Sequence, residues 1–330
     1  MKKPRIHQRI LRELKFLALH PLKSTALSLI KTLKLEQLAQ KLHLFEPKVI
    51  RYVDGGITSQ MFMFAKGYYY AKRRNLPLYL DLSWFDNSGL DLNGNKNRGL
   101  LLFEAFPEIR KRYAECVMKP SSFFDFLYTD TAMKRGREKP ASISLPPHSV
   151  YLYSYEFNMS YILEYIDDFK ELFKMQIELT PEEKILAEQI HNTESCALHI
   201  RRGDFIGSMH EVCTEEYYLN AIEKMRSMVP DCVFYVFSND ESYVRKLLSN
   251  KEGCFVFIEN RTEENPTADL WLMQECRHAI ISNSGFSLMP AILSYSDDKK
   301  VILPDKWNQS PQGKDIARSH QLPGWDIIEC

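Results

Sequence analysis

Residues 195–205 read SCALHIRRGDF, a short apolar run that breaks into two arginines, a glycine and an aspartate. The run has the length and composition of a strand buried on both faces, so the arginines fall where that strand leaves its sheet. Adjacent guanidinium groups are costly there unless something anionic answers them. Their planar forks of donors fit phosphate. In open α/β sheets, ligands bind outside the carboxyl ends of the strands. Two readings follow: a diphosphate site on Arg201 and Arg202, or an ion pair with Asp204 at a sheet edge.

The pattern continues downstream. Strand-like runs at Cys196–Ile200, Val233–Phe237, Cys254–Ile258, Ala279–Ser282 and Val301–Leu303 alternate with helix-like runs at Glu215–Met228, Ser242–Leu248, Ala268–Cys276 and Phe286–Leu293. That alternation predicts a parallel sheet covered by helices. Ser238-Asn239-Asp240 follows one strand, and Ser282-Asn283-Ser284-Gly285-Phe286-Ser287 follows another. With the arginines, three strand ends would present positive charge, a carboxylate and small hydroxyls to one crevice, a pattern suited to a nucleotide. Ser238–Asp240 and Ser284 also suit simple helix capping.

Upstream, Thr180-Pro181-Glu182-Glu183 is a helix start, with a capping threonine, proline in the first position and acids at the positive dipole end. Strands are expected at Val49–Val53, Leu78–Leu82 and Val150–Tyr153, and helices at Met61–Arg74 and Tyr161–Phe173. A turn falls at Asp54-Gly55-Gly56, and Asp86–Gly99 reads as a loop. Residues 100–150 have no single period. The expected organisation is an extension at 1–48, a first α/β domain at 49–178, a second at 179–305 and a tail at 306–330.

Among 330 residues, Lys and Arg balance Asp and Glu at 43 each. The balance hides an asymmetry: residues 1–48 hold eleven Lys and Arg against three Glu, a net +8. Ile10, Leu11, Leu14, Leu17, Leu27, Ile30 and Leu33 recur there at helical spacing. A basic amphipathic helix favours an anionic membrane surface, the alternative being an extension packed on the body. Interleaved aromatics are missing and the body is acidic, which argues against nucleic acid. No run approaches the roughly 18 apolar residues of a membrane span, and Lys15, His20 and Pro21 interrupt the one segment that could imitate a signal peptide. Seven dispersed cysteines without CxxC pairs fit reduced thiols in a cytoplasm, and suggest neither a zinc site nor a disulfide framework. The expected location is cytoplasmic, peripheral on the inner face of the cytoplasmic membrane. The chain holds no GxxxxGK[ST] phosphate loop.

Three segments carry a resemblance. HIRRGDF, FYVFSND and DLWLMQECRHAIISNSGFSLMPAIL resemble, in order and spacing, the donor-site motifs of the α-1,2-fucosyltransferase family. DGGITSQMFMFAKG resembles that family's opening glycine loop, and YLDLSWF its second strand. The resemblance runs from about Val49 to about Leu303. It implies an inverting transferase of the glycosyltransferase-B type: an α/β protein of two Rossmann-like domains facing across a cleft, here with a basic helical N-terminal extension. The implied donor is GDP-fucose, with no cofactor and no metal, in keeping with the lack of a DxD triplet. The implied acceptor is a galactose-terminated glycan or lipid-linked oligosaccharide.

By position, Arg202 with Arg201 would hold the diphosphate and stabilise the charge on departing GDP. His199, Asn239 and Asp240 would meet the guanosine side. Ser282, Asn283, Ser284 and Ser287 would line the phosphate or fucose side. Gly55, Gly56, Ser59 and Gln60 would form the facing loop. Asp204 would orient an arginine or, with Asp54, take the acceptor proton. The chain departs from the family pattern at Ile57-Thr58-Ser59, where Leu-Gly-Asn is usual. It departs again at Gly285 and Leu288-Met289, in place of threonine and paired tryptophans. Other outcomes are a binding protein without turnover, and a transferase using another GDP-sugar.

Overall fold

The computed structural model describes residues 47–87, 99–117, 129–132, 149–152, 159–259 and 266–330. The basic extension lies outside them, apart from its last two residues, as does most of the expected loop at 86–99.

The first sheet has four parallel strands in the order β2-β1-β4-β3: β1 (Val49–Tyr52), β2 (Leu78–Asp81), β3 (Thr129–Ala132) and β4 (Ser149–Leu152). β1 is inside the sheet and buried at all four positions, including Arg51. A buried guanidinium needs acceptors. Arg51 finds the carbonyls of Met63 and Leu152 at 3.0 and 2.9 Å. Helix α1 (Ile57–Arg74) packs over β1. A Cβ on Gly67 would stand 2.9 Å from both Arg51 Cβ and Leu78 Cδ1, so glycine there lets the helix approach. Helix α1 begins four residues earlier than its apolar period predicts because Ile57 joins the core. It ends on Asn75, whose φ of 51° is a left-handed cap.

Short helices α2 (Ser83–Asn87), α3 (Leu101–Ala105) and α4 (Pro107–Tyr113) follow β2. The helix expected at 161–173 is two, α5 (Met159–Leu163) and α6 (Ile166–Leu172), which divide at Tyr165, where ψ swings to 36°. Helix α7 (Pro181–His191) starts as its sequence predicts. The Thr180 hydroxyl accepts from the Glu183 amide and the Glu183 carboxylate from the Thr180 amide.

The second sheet is six parallel strands in the order β10-β9-β8-β5-β6-β7. In chain order its elements are β5 (Glu194–Ile200), α8 (Glu215–Met228), β6 (Cys232–Ser238), α9 (Glu241–Leu248), β7 (Cys254–Phe257), α10 (Pro266–Glu275), β8 (His278–Ile280), α11 (Gly285–Leu293), β9 (Val301–Pro304), α12 (Gly313–Ser319) and β10 (Asp326–Ile328). The chain builds outward from β5 through β6 and β7, then returns to lay β8, β9 and β10 on the other flank. This is the Rossmann order, and its switch point lies between β5 and β8. Residues 306–330 are no tail: β10 pairs with β9, and Trp307, Ala317, Leu322 and Trp325 are buried.

One hydrophobic cluster runs through both halves, and α1 and α6 pack against α11. A second cluster fills the space between the second sheet and α8 and α9, around Tyr217, Met225, Phe234 and Leu248. Among the described residues, no helix is long and apolar enough to cross a membrane.

Candidate active site

The switch point is where the sequence motifs meet. His199, near the end of β5, is 4% exposed, and its Nδ1 lies 2.9 Å from the hydroxyls of both Ser282 and Ser287. Ser282 leaves β8 and Ser287 is in the first turn of α11, so the imidazole ties β5 to the β8–α11 corner. Burial, reinforced by the Arg201 charge, pushes His199 down to about 3. The ring is therefore neutral at physiological pH.

Beyond β5 the chain turns through Arg201 and Arg202 into a single 3-10 turn at Gly203–Phe205. Arg201 donates Nε and Nη2 to Asp204 Oδ1 at 3.1 and 2.6 Å, and its guanidinium stands over the Phe205 ring. Arg202 is held differently. Its backbone amide donates to Asn239 Oδ1 at 2.9 Å, its Nε to Asp240 Oδ2 at 3.2 Å, and its guanidinium lies 3.7 Å from the centre of the Tyr243 ring. The Asp240 bond takes the inner nitrogen, and the terminal nitrogens of Arg202 meet no carboxylate among the described residues. The side chain remains 29% exposed. Gly203 has φ 47°, and a Cβ there would fall 2.3 Å from Asn239 Nδ2. Glycine at this position is what lets the arginine loop close on Asn239.

Asp240 has three tasks. It caps α9 through the Tyr243 amide, accepts from Ser242, and holds Arg202. Burial works to raise its carboxyl, but these three donors outweigh burial and leave it below the usual range. Ser238 stitches the two strand ends by donating to the Ile200 carbonyl at 2.8 Å and accepting the Asp240 amide.

Several residues read from the sequence as donor contacts are turned inward. Asn283 donates both amide hydrogens to backbone, on His210 at 2.8 Å and Trp307 at 2.9 Å, so it anchors the arginine loop to the segment after β9. The Ser284 hydroxyl caps α11 by accepting the Phe286 amide. Gln60 is fully buried. Its amide donates to the carbonyls of Gly55 and Gly99 at 2.9 and 3.0 Å, while its oxygen accepts from the Leu102 amide. It clamps the glycine turn onto α3. In each case an amide or hydroxyl beside unpaired backbone groups satisfied them first.

Asp54, Gly55, Gly56 and Ser59 are half-buried in the turn between β1 and α1. The one left-handed residue of that turn is Gly55, at φ 77°. Thr58 is already within α1, so the missing family glycine leaves no strained backbone. Tyr243 was missed by the sequence reading. Its one signal was an aromatic three residues past a capping aspartate.

Fold and site together define a Rossmann-type α/β protein with two arginines at the switch point of a parallel sheet. The family profile of glycosyl transferase family 11 matches residues 96–329. An α-1,2-colitosyltransferase from Escherichia coli is 30% identical over 273 residues, covering 78% of this chain and 92% of that protein. The chain belongs to glycosyl transferase family 11, the α-1,2-fucosyltransferase family. It is also similar to the O-antigen biosynthesis glycosyltransferase WbnK from Escherichia coli, 33% identical over 38% of this chain and 41% of that protein. Among solved structures, the NodZ α-1,6-fucosyltransferase of Bradyrhizobium, co-crystallised with GDP, aligns with 76% of this chain and 93% of its own. That alignment has 15% identity and a TM-score of 0.44, too distant to bear on the site.

Proposed function

We propose that this glycosyltransferase moves L-fucose from GDP-fucose to a galactoside hydroxyl, O2 by preference, in a surface glycan. The observation that carries the reading is Arg202: a partly exposed guanidinium, braced on its inner nitrogen and against the Tyr243 ring, at the switch point of the second sheet. Arg202 and Arg201 hold the diphosphate between them. The acceptor oxygen attacks the anomeric carbon from the face opposite GDP. The bond from that carbon to the β-phosphate oxygen breaks, GDP leaves with the electron pair, and configuration inverts. Preorganised positive charge at the leaving oxygen supplies the main rate term. Asp54, beside the glycine turn, and Asp204, which also orients Arg201, are the two carboxylates we assign to the acceptor proton. The cleft between the halves receives the acceptor, and the reaction needs no metal. The basic segment 1–48 brings the enzyme to the inner face of the cytoplasmic membrane, where a lipid-linked oligosaccharide is the acceptor.

A second donor is favoured by one specific finding, the likeness to the colitosyltransferase. Colitose is fucose without its 3-hydroxyl, so one crevice could take either GDP-sugar. The test is GDP release in chelator from GDP-fucose and GDP-colitose, with and without lactose-type acceptors, followed by mass spectrometry. A gain of one deoxyhexose establishes fucosyl transfer, and a gain of one dideoxyhexose moves the donor to colitose. GDP-sugar binding without product on any acceptor sinks the transferase reading. Co-sedimentation with anionic vesicles, unchanged when residues 1–45 are deleted, would remove the extension as anchor.

A further inference from the structure

The corner between β6 and α9 touches Arg202 at three points spaced along seven atoms of side chain and backbone. Asn239 fixes the Arg202 amide, Asp240 fixes Nε, and the Tyr243 ring lies under the guanidinium at 3.7 Å. The three contacts are not independent. Asp240 Oδ1 accepts the Tyr243 amide at 3.1 Å while Oδ2 takes Arg202, so one carboxylate sets both the ring and the fork that rests on it. An arginine free at a strand end samples many rotamers, and ordering it on ligand binding costs affinity. A guanidinium already seated over an aromatic ring has little left to lose.

We propose that Tyr243 is a positioning residue for the reaction: its ring is the platform that holds the Arg202 guanidinium in place, with no carboxylate on its terminal nitrogens, for the donor diphosphate. This rests on the assignment of Arg202 to the diphosphate. It gives the FYVFSND corner a different task from guanosine contact. The motif braces the arginine of its neighbour, and the brace extends three residues past the motif, to Tyr243.

The test is GDP binding by isothermal titration calorimetry on the full chain, which requires no knowledge of the acceptor. Tyr243→Leu fills similar space without a π face, and should weaken GDP by about 5- to 10-fold. Tyr243→Phe keeps the face and should stay within about twofold of the parent. Arg202→Ala should weaken GDP at least as much as Tyr243→Leu. The double variant should bind no more weakly than Arg202→Ala, because a platform with nothing on it has no further effect. A merely structural tyrosine would not give that non-additivity. Parent-like binding by Tyr243→Leu beside a weakened Arg202→Ala overturns the platform and leaves the diphosphate assignment standing. Additive losses also overturn it, since the ring would then act apart from Arg202. Parent-like binding by Arg202→Ala overturns the diphosphate assignment and the platform with it.

Discussion

The glycine turn after β1 and the arginine loop after β5 are both corners where a parallel strand leaves its sheet, yet they handle polar groups in opposite ways. In the first, Gln60 closes every hydrogen bond inside the protein and is fully buried. In the second, Asn239 holds the Arg202 backbone while Asp240 and Tyr243 brace its guanidinium, which stays partly exposed with no carboxylate on its outer nitrogens among the described residues. A saturated corner fixes chain direction, whereas an unsaturated one leaves donors that a ligand can use. The contrast predicts that substituting Gln60 acts on stability and that substituting Arg202 or its braces acts on donor handling.

The largest expected effect is at the unsaturated corner. Arg202→Ala should lower kcat/KM by about 100-fold or more, the scale for removing a donor at developing negative charge. Its thermal midpoint should be nearly unchanged, and near-normal turnover would break the comparison at its strongest point. Gln60→Ala is the opposite case. It strands the Leu102 amide and two carbonyls, and should cost about 3 kcal/mol in denaturant unfolding. The folded fraction should keep parent-like affinity for GDP; a selective loss of affinity would mean that Gln60 does reach the donor.

Acid sharpens the comparison further. His199 has a value of about 3 in the folded protein against 6.5 for an ordinary histidine. As pH falls, the unfolded chain takes up that proton first. The stabilising effect is full above pH 6.5 and drains away between 6.5 and 3, reaching a loss of about 2 kcal/mol by pH 5. Urea midpoints measured across that window should fall with pH, and His199→Gln should flatten the slope. A smaller slope should persist from His320, which is fully buried beside Trp307 and pushed down to about 4. An unchanged slope in His199→Gln would remove His199 as its source. The smallest effect belongs to Ser284→Ala, which should cost about 1 kcal/mol as a lost helix cap and leave GDP affinity intact. A drop in affinity at parent stability would return Ser284 to the donor site.

What could be read in advance follows the range of the physics involved. Thr180-Pro181-Glu182-Glu183 announced a helix start because every partner lies within one helical turn. The strands and helices of 194–304 were legible because burial on both faces leaves unbroken apolar runs between capping residues. The helix at 161–173 was read as one because its period continues across Tyr165, and the break comes from backbone conformation that the period does not encode. Residues 306–330 looked like a tail because β10 has only three residues, too short a run to stand out.

The sequence by itself determined the alternation of strand and helix, the clustering of chemistry at strand ends, and the family. Those depend on residue type and near spacing, which the chain carries in one dimension. Only the tertiary structure decided which polar groups remained available. Gln60, Asn283, Asp240 and Arg202 are equally polar on paper. The backbone atoms and side chains that reach them come from up to 73 residues away, as His210 does for Asn283. A hydrogen bond made inside the protein is no longer offered to a ligand, and which bonds are made is settled by packing.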